Sequence, residues 1–280
     1  MGNRINKIGI MQGRLSPPVN GKIQAFPLKT WKDEFSLAKE CGFELIEWVV
    51  GLTDLEQNPI FSPQNHREII RLQKKYQSEV PIICCDYFME RPLNSEDLAT
   101  RIEAQGMLIE LMMLCPEIGI RYIELPFIGK SGLEQPRSVV SITKLLNNIV
   151  PFAEKQEVYI LIETSLSPKR LVAFLDQIPS NRIQINYDTG NSAYWGYKPQ
   201  DEIPVYGHRI GNIHIKDCTS KDYTVPLGKG DVDFGLTFNI LRDIGYQGNF
   251  VLQTARGDDD LQVAKTSYQF TCHYIQKYLH

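Results

Sequence analysis

The chain has 280 residues, a net charge of −3 and 42% hydrophobic content. That length and apolar share support one large core. The near-balanced charge, without a long basic run, removes the electrostatic case for nucleic acid binding. No apolar stretch is long enough to cross a bilayer.

The N-terminal region enters the apolar run Lys7-Ile8-Gly9-Ile10-Met11 at once, which predicts no signal peptide. Asn6 stands where myristoylation of Gly2 requires Ser or Thr. The six cysteines, Cys41, Cys84, Cys85, Cys115, Cys218 and Cys272, form no C-x-x-C pair. Four lie in or beside apolar runs, so reduced, buried thiols and a cytoplasmic location are expected. Cys84 and Cys85 are adjacent and are predicted to face opposite sides of a strand.

Strand-like runs alternate with helical patterns. The strand candidates are residues 7–11, 45–49, 82–85, 122–125, 159–162, 183–187, 213–215 and 250–252. Most are continuous apolar stretches, as strands covered on both faces require. Between them, Thr30 is read as the cap of a helix that buries Trp31, Phe35 and Ala38, with Gly42 just past its end. Ser62-Pro63 and Ser167-Pro168 each place a capping residue before a proline at the first helical position. Ser95-Glu96-Asp97 opens a long helix that ends near Gly119. Pro151 predicts a kink or early stop in the fourth helical pattern. The weakest pattern, around 201–206, follows the sixth strand. Asp233-Phe234 begins a helix stopped by Gly245, and residues 258–260 open the last one.

Eight strand–helix units in one chain predict a single (β/α)8 TIM-barrel domain over residues 1–280. A doubly wound open sheet is the structural alternative. No G-x-G-x-x-G follows the first strand, which removes its dinucleotide-binding version. Long loops are expected at 16–28, 91–94, 129–137, 192–204 and 219–231, all but the second directly after a strand, where active-site lids form.

Four of the late strands end on side chains suited to one site: Glu163, Asp188, His214 and Gln253. Carboxylates and imidazole ligate divalent cations, and a barrel gathers strand ends at one rim. These residues sit in a longer pattern: Glu163, then Tyr187-Asp188-Thr189-Gly190-Asn191, His214-Ile215-Lys216-Asp217, Pro226-Leu227-Gly228-Lys229-Gly230-Asp231-Val232-Asp233-Phe234 and Gly245-Tyr246-Gln247-Gly248. With the opening Gly9-Ile10-Met11-Gln12-Gly13-Arg14-Leu15, this resembles the xylose-isomerase-like TIM-barrel superfamily, closest to its sugar phosphate isomerase/epimerase branch.

The resemblance implies one divalent ion held by Glu163, Asp188, His214 and Gln253, the last standing where the family carries a second Glu. Mn²⁺ or Mg²⁺ suits this oxygen-rich set best, and Co²⁺ and Zn²⁺ remain open. A further family His is Asn191 here. The nuclease branch needs several more histidines, but this chain has only His66, His208, His214, His273 and His280, and only His214 ends a strand. The implied activity is isomerisation or epimerisation of a sugar or sugar phosphate. A cation polarises the carbonyl, a carboxylate removes the neighbouring proton, and an enediolate forms. Glu163 is the first choice of base. Gln253 cannot carry a proton, which shifts weight from two-base epimerisation towards one-base isomerisation unless Glu124 or Asp86 substitutes. A catalytically degenerate carbohydrate-binding barrel and a metal-dependent dehydratase of an inosose-like ketone are the alternatives.

Arg14 and Arg256 follow strands that a closed barrel makes neighbours, so they are candidates to flank an anionic substrate. Glu124, Asn191, Lys216 and Lys229 complete the substrate-binding candidates; Lys216 and Asp217 are read as positioning substrate or orienting ligands, and Trp195, on a rim loop, as able to stack on a sugar face. By resemblance the partner is a small sugar, and homo-oligomers are common among such barrels.

Overall fold

The computed structural model describes residues 6–279; Gly2 and His280 lie outside them. Eight parallel strands close into one barrel in chain order. They are β1 (Ile8–Met11), β2 (Leu45–Val49), β3 (Glu79–Cys84), β4 (Tyr122–Phe127), β5 (Tyr159–Thr164), β6 (Ile183–Asp188), β7 (Ile210–Ile215) and β8 (Asn249–Leu252). β8 pairs with β1 through Ile8–Phe250 and Ile10–Leu252. The helices are α1 (Asp33–Cys41), α2 (Pro63–Tyr76), α3 (Tyr87–Glu90), α4 (Leu98–Ile118), α5 (Pro136–Lys155), α6 (Pro168–Leu175), α7 (Thr189–Tyr194), α8 (Pro199–Tyr206), α9 (Phe234–Asp243) and α10 (Asp260–Tyr278). No helix among the described residues is long and apolar enough to cross a membrane.

Each strand serves two environments by its two-residue side-chain period. Ile10, Ile46, Trp48, Ile83, Ile123, Ile160, Ile162, Ile185, Ile213 and Phe250 point outward into the core shared with the helices. Leu45, Ile82, Leu161 and Val251 point inward and pack the floor of the barrel. Met11, Val49 and Cys84 form a second inward cluster. Cys84 and Cys85 thus face opposite sides, Cys85 lying in the outer core. Most inward positions left over are polar and buried: Glu47, Glu124, Glu163, Asn186, Asp188, Asn212 and His214. At Gly9 a β-carbon would strike the Leu45 side chain, so the first strand yields its inward space to the floor.

Several elements differ from the sequence reading. α1 starts at Asp33, and Thr30 is no cap; its hydroxyl donates to Ser16 Oγ at 2.8 Å. α5 runs through Pro151 to Lys155, because Ile142, Leu146, Ile149 and Ala153 are buried on both sides of it and outweigh the missing N–H. The stretch 192–204 is not a loop but holds the end of α7 and the start of α8. The Ser62-Pro63 and Ser167-Pro168 starts stand at α2 and α6, and Asp97, Asp233 and Asp259 accept backbone N–H bonds at the starts of α4, α9 and α10. The cysteines are unpaired, and all but Cys272 are buried.

Buried Glu34 of α1 accepts the Gly13 N–H at 3.0 Å and the Leu15 N–H at 3.3 Å, tying α1 to the loop after β1. Burial outweighs these bonds and raises its pKa from 4.5 to about 7. The folded state therefore holds this proton more tightly than the unfolded chain. The associated stability is fully present below the unfolded value and is lost as pH rises from 4.5 to about 7, by roughly 3 kcal/mol in all. Glu34→Gln is expected to flatten that decline. Urea unfolding of both proteins at the two ends of this window checks it, and parallel declines would remove Glu34 as the cause.

Candidate active site at the C-terminal mouth of the barrel

Glu163, Asp188 and His214, from β5, β6 and β7, present ligand-capable atoms that all lie within 4.8 Å of one another, and all three are buried. Glu163 Oε1 accepts from Asn191 Nδ2 and Oε2 from Asn186 Nδ2, both at 2.6 Å. His214 Nδ1 faces Glu163 Oε2 at 3.3 Å, and its Nε2 faces Glu47 Oε2 at 3.0 Å. Asp188 divides its two oxygens. Oδ1 accepts the Asn191 N–H at 2.7 Å and so starts α7, while Oδ2 is buried without a hydrogen-bond partner.

The charges reinforce one another. Burial raises the Glu163 carboxyl, yet the His214 hydrogen bond and the charges of His214 and Lys216 bring it below its usual value. Burial disfavours the His214 imidazolium, but Glu47 and Glu163 outweigh that and hold its pKa well above normal. Burial raises Asp188 despite the charge of Lys216.

These residues fit a divalent cation. Two carboxylates and one imidazole nitrogen converge, Asp188 Oδ2 lacks a hydrogen-bond partner, and Nδ1 faces the carboxylates while Nε2 is turned to Glu47. A carboxylate on the far nitrogen is the usual means of orienting a ligating histidine. Glu47 escaped the sequence reading, as did Asn186, which donates to Glu163, lies 3.0 Å from His214 Nδ1 and is held by Asn212 Nδ2 at 2.8 Å. The signal was present: each is a polar residue at an inward-facing position of an apolar strand.

Glu163 opens onto a cavity of about 330 Å³ that Arg14, Gln24, Asp86, Glu124, Asn191, Lys216, Tyr223 and Gln253 also line. Gln253 donates to Gln24 Oε1 at 3.2 Å, and Gln24 donates to Asp86 Oδ2 at 2.8 Å. Lys216 Nζ donates to Asn191 Oδ1 at 2.7 Å, lies 3.9 Å from Asp188 Oδ2 and sits 3.7 Å from the centre of the Tyr223 ring. Gly190 makes room for it, since a β-carbon there would come within 2.6 Å of Lys216 Cγ. Replacing Gln253 by Glu adds a carboxylate to the wall of the cavity that Glu163 also lines. Gln253→Glu is expected to tighten Mn²⁺ binding by roughly an order of magnitude; unchanged affinity by calorimetry would place residue 253 outside the coordination sphere.

The other candidates are placed differently. Arg14 and Arg256 are neighbours, as barrel closure requires, but both guanidinium groups turn to the loop after β1. Arg14 donates to the Thr254 and Ile23 carbonyls and to Gln24 Oε1. Burial, then the charge of Arg256, lowers its pKa to about 10. Arg256 donates to the Ile23, Ser16 and Gly13 carbonyls, pairs with Asp260 at 2.9 Å, and does not line the cavity. Together they pin the loop that carries Gln24. Lys229 is exposed and also lies outside the cavity lining. Asp217 does not line the cavity: its carboxylate accepts the N–H groups of Cys218, Gly228, Gly230 and Val232 and organises the loop after β7. Trp195 borders a separate small pocket behind Glu163.

A closed barrel of eight parallel strands with carboxylates and a histidine gathered at the C-terminal mouth defines a class of enzyme barrels. A profile of the xylose isomerase-like TIM-barrel family matches residues 35–273, and the chain belongs to that family. Among curated relatives, L-ribulose-5-phosphate 3-epimerase UlaE of Escherichia coli is 25% identical over 234 residues, covering 80% of this chain and 81% of its own. A putative L-ribulose-5-phosphate 3-epimerase, SgbU of Haemophilus influenzae, is 27% identical over 242 residues, covering 80% and 83%. The structure of D-psicose 3-epimerase with D-tagatose from Clostridium cellulolyticum superposes with a TM-score of 0.78 at 16% identity, covering 96% of this chain and 99% of that one. The IOLI protein, solved with a bound zinc atom, gives 0.78 at 15% identity, covering 97% and 99%. These curated relatives are sugar epimerases, which are isomerases by reaction class.

Proposed function

We propose that the protein is a divalent-metal-dependent epimerase of an unphosphorylated ketose. The observation that carries this reading is the convergence of Glu163, Asp188 and His214, with Asp188 Oδ2 lacking a hydrogen-bond donor, at the wall of a sugar-sized cavity. The names of the relatives support the reaction class. Glu163, Asp188 and His214 would hold the ion, with Gln253 beside them; once bound, it would polarise the substrate carbonyl and acidify the adjacent C–H.

Glu163 is the base. Two asparagine amides fix its carboxylate, and it is held in the ionised form. Inversion requires a second acid on the opposite face of the substrate. Gln253 cannot supply it, but Asp86 lines the same cavity from the turn after β3 and is linked to Gln253 through Gln24. Burial raises the Asp86 carboxyl, which favours the protonated, donating form. Asp86→Asn is therefore expected to abolish inversion while substrate C–H exchange with solvent deuterium continues; equal loss of both would assign Asp86 to binding alone.

The preference for an uncharged sugar rests on the cations. Among the described residues lining the cavity the only arginine and lysine are Arg14 and Lys216, and both are already engaged. The backbone N–H groups of the loop after β7, a usual phosphate cradle in barrels, are taken by Asp217. The test is to incubate the Mn²⁺-loaded protein in D₂O with ketopentoses, ketohexoses and their terminal phosphates. Deuterium and inverted configuration at the carbon next to the carbonyl are expected in a free ketose. Turnover of phosphates alone would overturn the substrate assignment, and no labelling of any ketose would overturn the epimerase reading.

A further inference from the structure

We infer that Glu47, Cys84 and Glu124 form a second divalent-cation site, separate from the Glu163 set and suited to Zn²⁺ or Co²⁺. One carboxylate oxygen of each glutamate and the cysteine sulfur lie within 4.8 Å of one another, and all three residues are buried. The placement follows from register. Cys84 is paired with Glu124 across β3 and β4 and with Val49 across β2 and β3, and Glu47 lies two residues before Val49 on the same face of β2. Three adjacent strands thus bring their donors to one wall of the barrel, across from β6 and β7.

The Cys84 thiol donates to Asp86 Oδ1 and accepts from Gln24 Nε2, both at 3.6 Å, but the two carboxylates are not satisfied by the protein. Glu47 uses Oε2 for His214, but its Oε1 is buried with no hydrogen-bond partner. Glu124 is 1% exposed, and its Oε2 is equally unpartnered. A buried carboxylate oxygen without a donor is costly, and a pair of them beside a thiol calls for a cation or a shared proton. Glu163 and Asp188 already have His214 and Lys216 as cationic neighbours; Glu124 has no such ion pair among the described residues.

Two oxygens and one sulfur make a borderline-soft set, which selects Zn²⁺ or Co²⁺ over Mg²⁺. Three protein ligands leave a fourth position open, and Cys84 and Glu124 both line the cavity, so the site has an entry path. Glu47 would touch both centres, one oxygen at the new site and the other on His214. Binding requires loss of the Cys84 thiol proton to the medium, with no change of oxidation state.

The test is Co²⁺ titration of the metal-free full chain, reading stoichiometry and the thiolate-to-cobalt charge-transfer absorption in the near ultraviolet. Wild type is expected to bind two equivalents and to show the band. Cys84→Ser and the near-isosteric Glu124→Gln are each expected to lose the band and one equivalent while keeping an unchanged unfolding transition without metal. Asp188→Asn is expected to lose the other equivalent and keep the band, which separates this site from the proposed catalytic one. A single equivalent without the band in wild type would show that Glu47 and Glu124 share a proton instead, and a band that survives Cys84→Ser would place the cobalt on another cysteine; either result overturns the assignment.

Discussion

Glu163→Gln is expected to lower turnover of the ketose by about 10²- to 10⁴-fold, the span removed with a positioned general base. The side chain keeps its size and an amide oxygen, so much of the cavity wall survives. Its new NH₂ group, however, must face one of two donors, Asn186 Nδ2 or Asn191 Nδ2, each 2.6 Å from a carboxylate oxygen. Asn186 cannot simply turn its amide over, because Asn212 donates to its Oδ1 at 2.8 Å. Some rearrangement therefore accompanies the loss of the base. Turnover and solvent deuterium exchange should be measured at saturating Mn²⁺, with the unfolding curve alongside. Retained exchange with a native unfolding curve would remove Glu163 from the chemistry.

Asp188→Asn should cost more than 100-fold in Mn²⁺ affinity, since changes to groups that merely orient a ligand already cost about 10- to 100-fold. The choice of Asn matters. Oδ1 of Asp188 accepts the Asn191 N–H at the start of α7, and an asparagine can keep that bond. Loss of α7, and with it the Asn191 and Lys216 contacts, is thereby separated from loss of the charge on Oδ2. Elemental analysis after desalting, with Mn²⁺ added beforehand, checks the result. Wild-type retention of Mn²⁺ by the variant would show that Oδ2 faces something other than a cation.

The barrel was legible because its signals are local. Eight apolar runs separated by helix starts at Ser62-Pro63, Asp97, Ser167-Pro168, Asp233 and Asp259 leave little freedom in topology. The misreadings were also local in origin. Thr30 has a capping side chain, and Pro151 a helix-breaking ring, but Ser16 engages the first and packing of Ile149 and Ala153 overrides the second. Glu163, Asp188, His214 and Gln253 were singled out because each lies at or next to the end of a strand. Glu47, Asn186 and Gln24 were not, because a polar residue inside a strand or a loop announces no partner until the barrel closes.

What the sequence determined by itself is the order of strands and helices and the identity of the residues at the strand ends, since hydrophobic period and capping chemistry act over a few residues. Only the tertiary structure decided how those residues are used. Arg14 and Arg256 read as an anion clamp, yet they spend their donors on the Ile23, Ser16, Gly13 and Thr254 carbonyls. Asp217 read as a residue that positions substrate or orients ligands, and it gathers four backbone N–H groups instead. Glu47 meets His214 from 167 residues away across the barrel. A buried polar group takes whichever partner the closed fold brings within about 3 Å, and that partner is set by strand register and loop path rather than by neighbours in the chain.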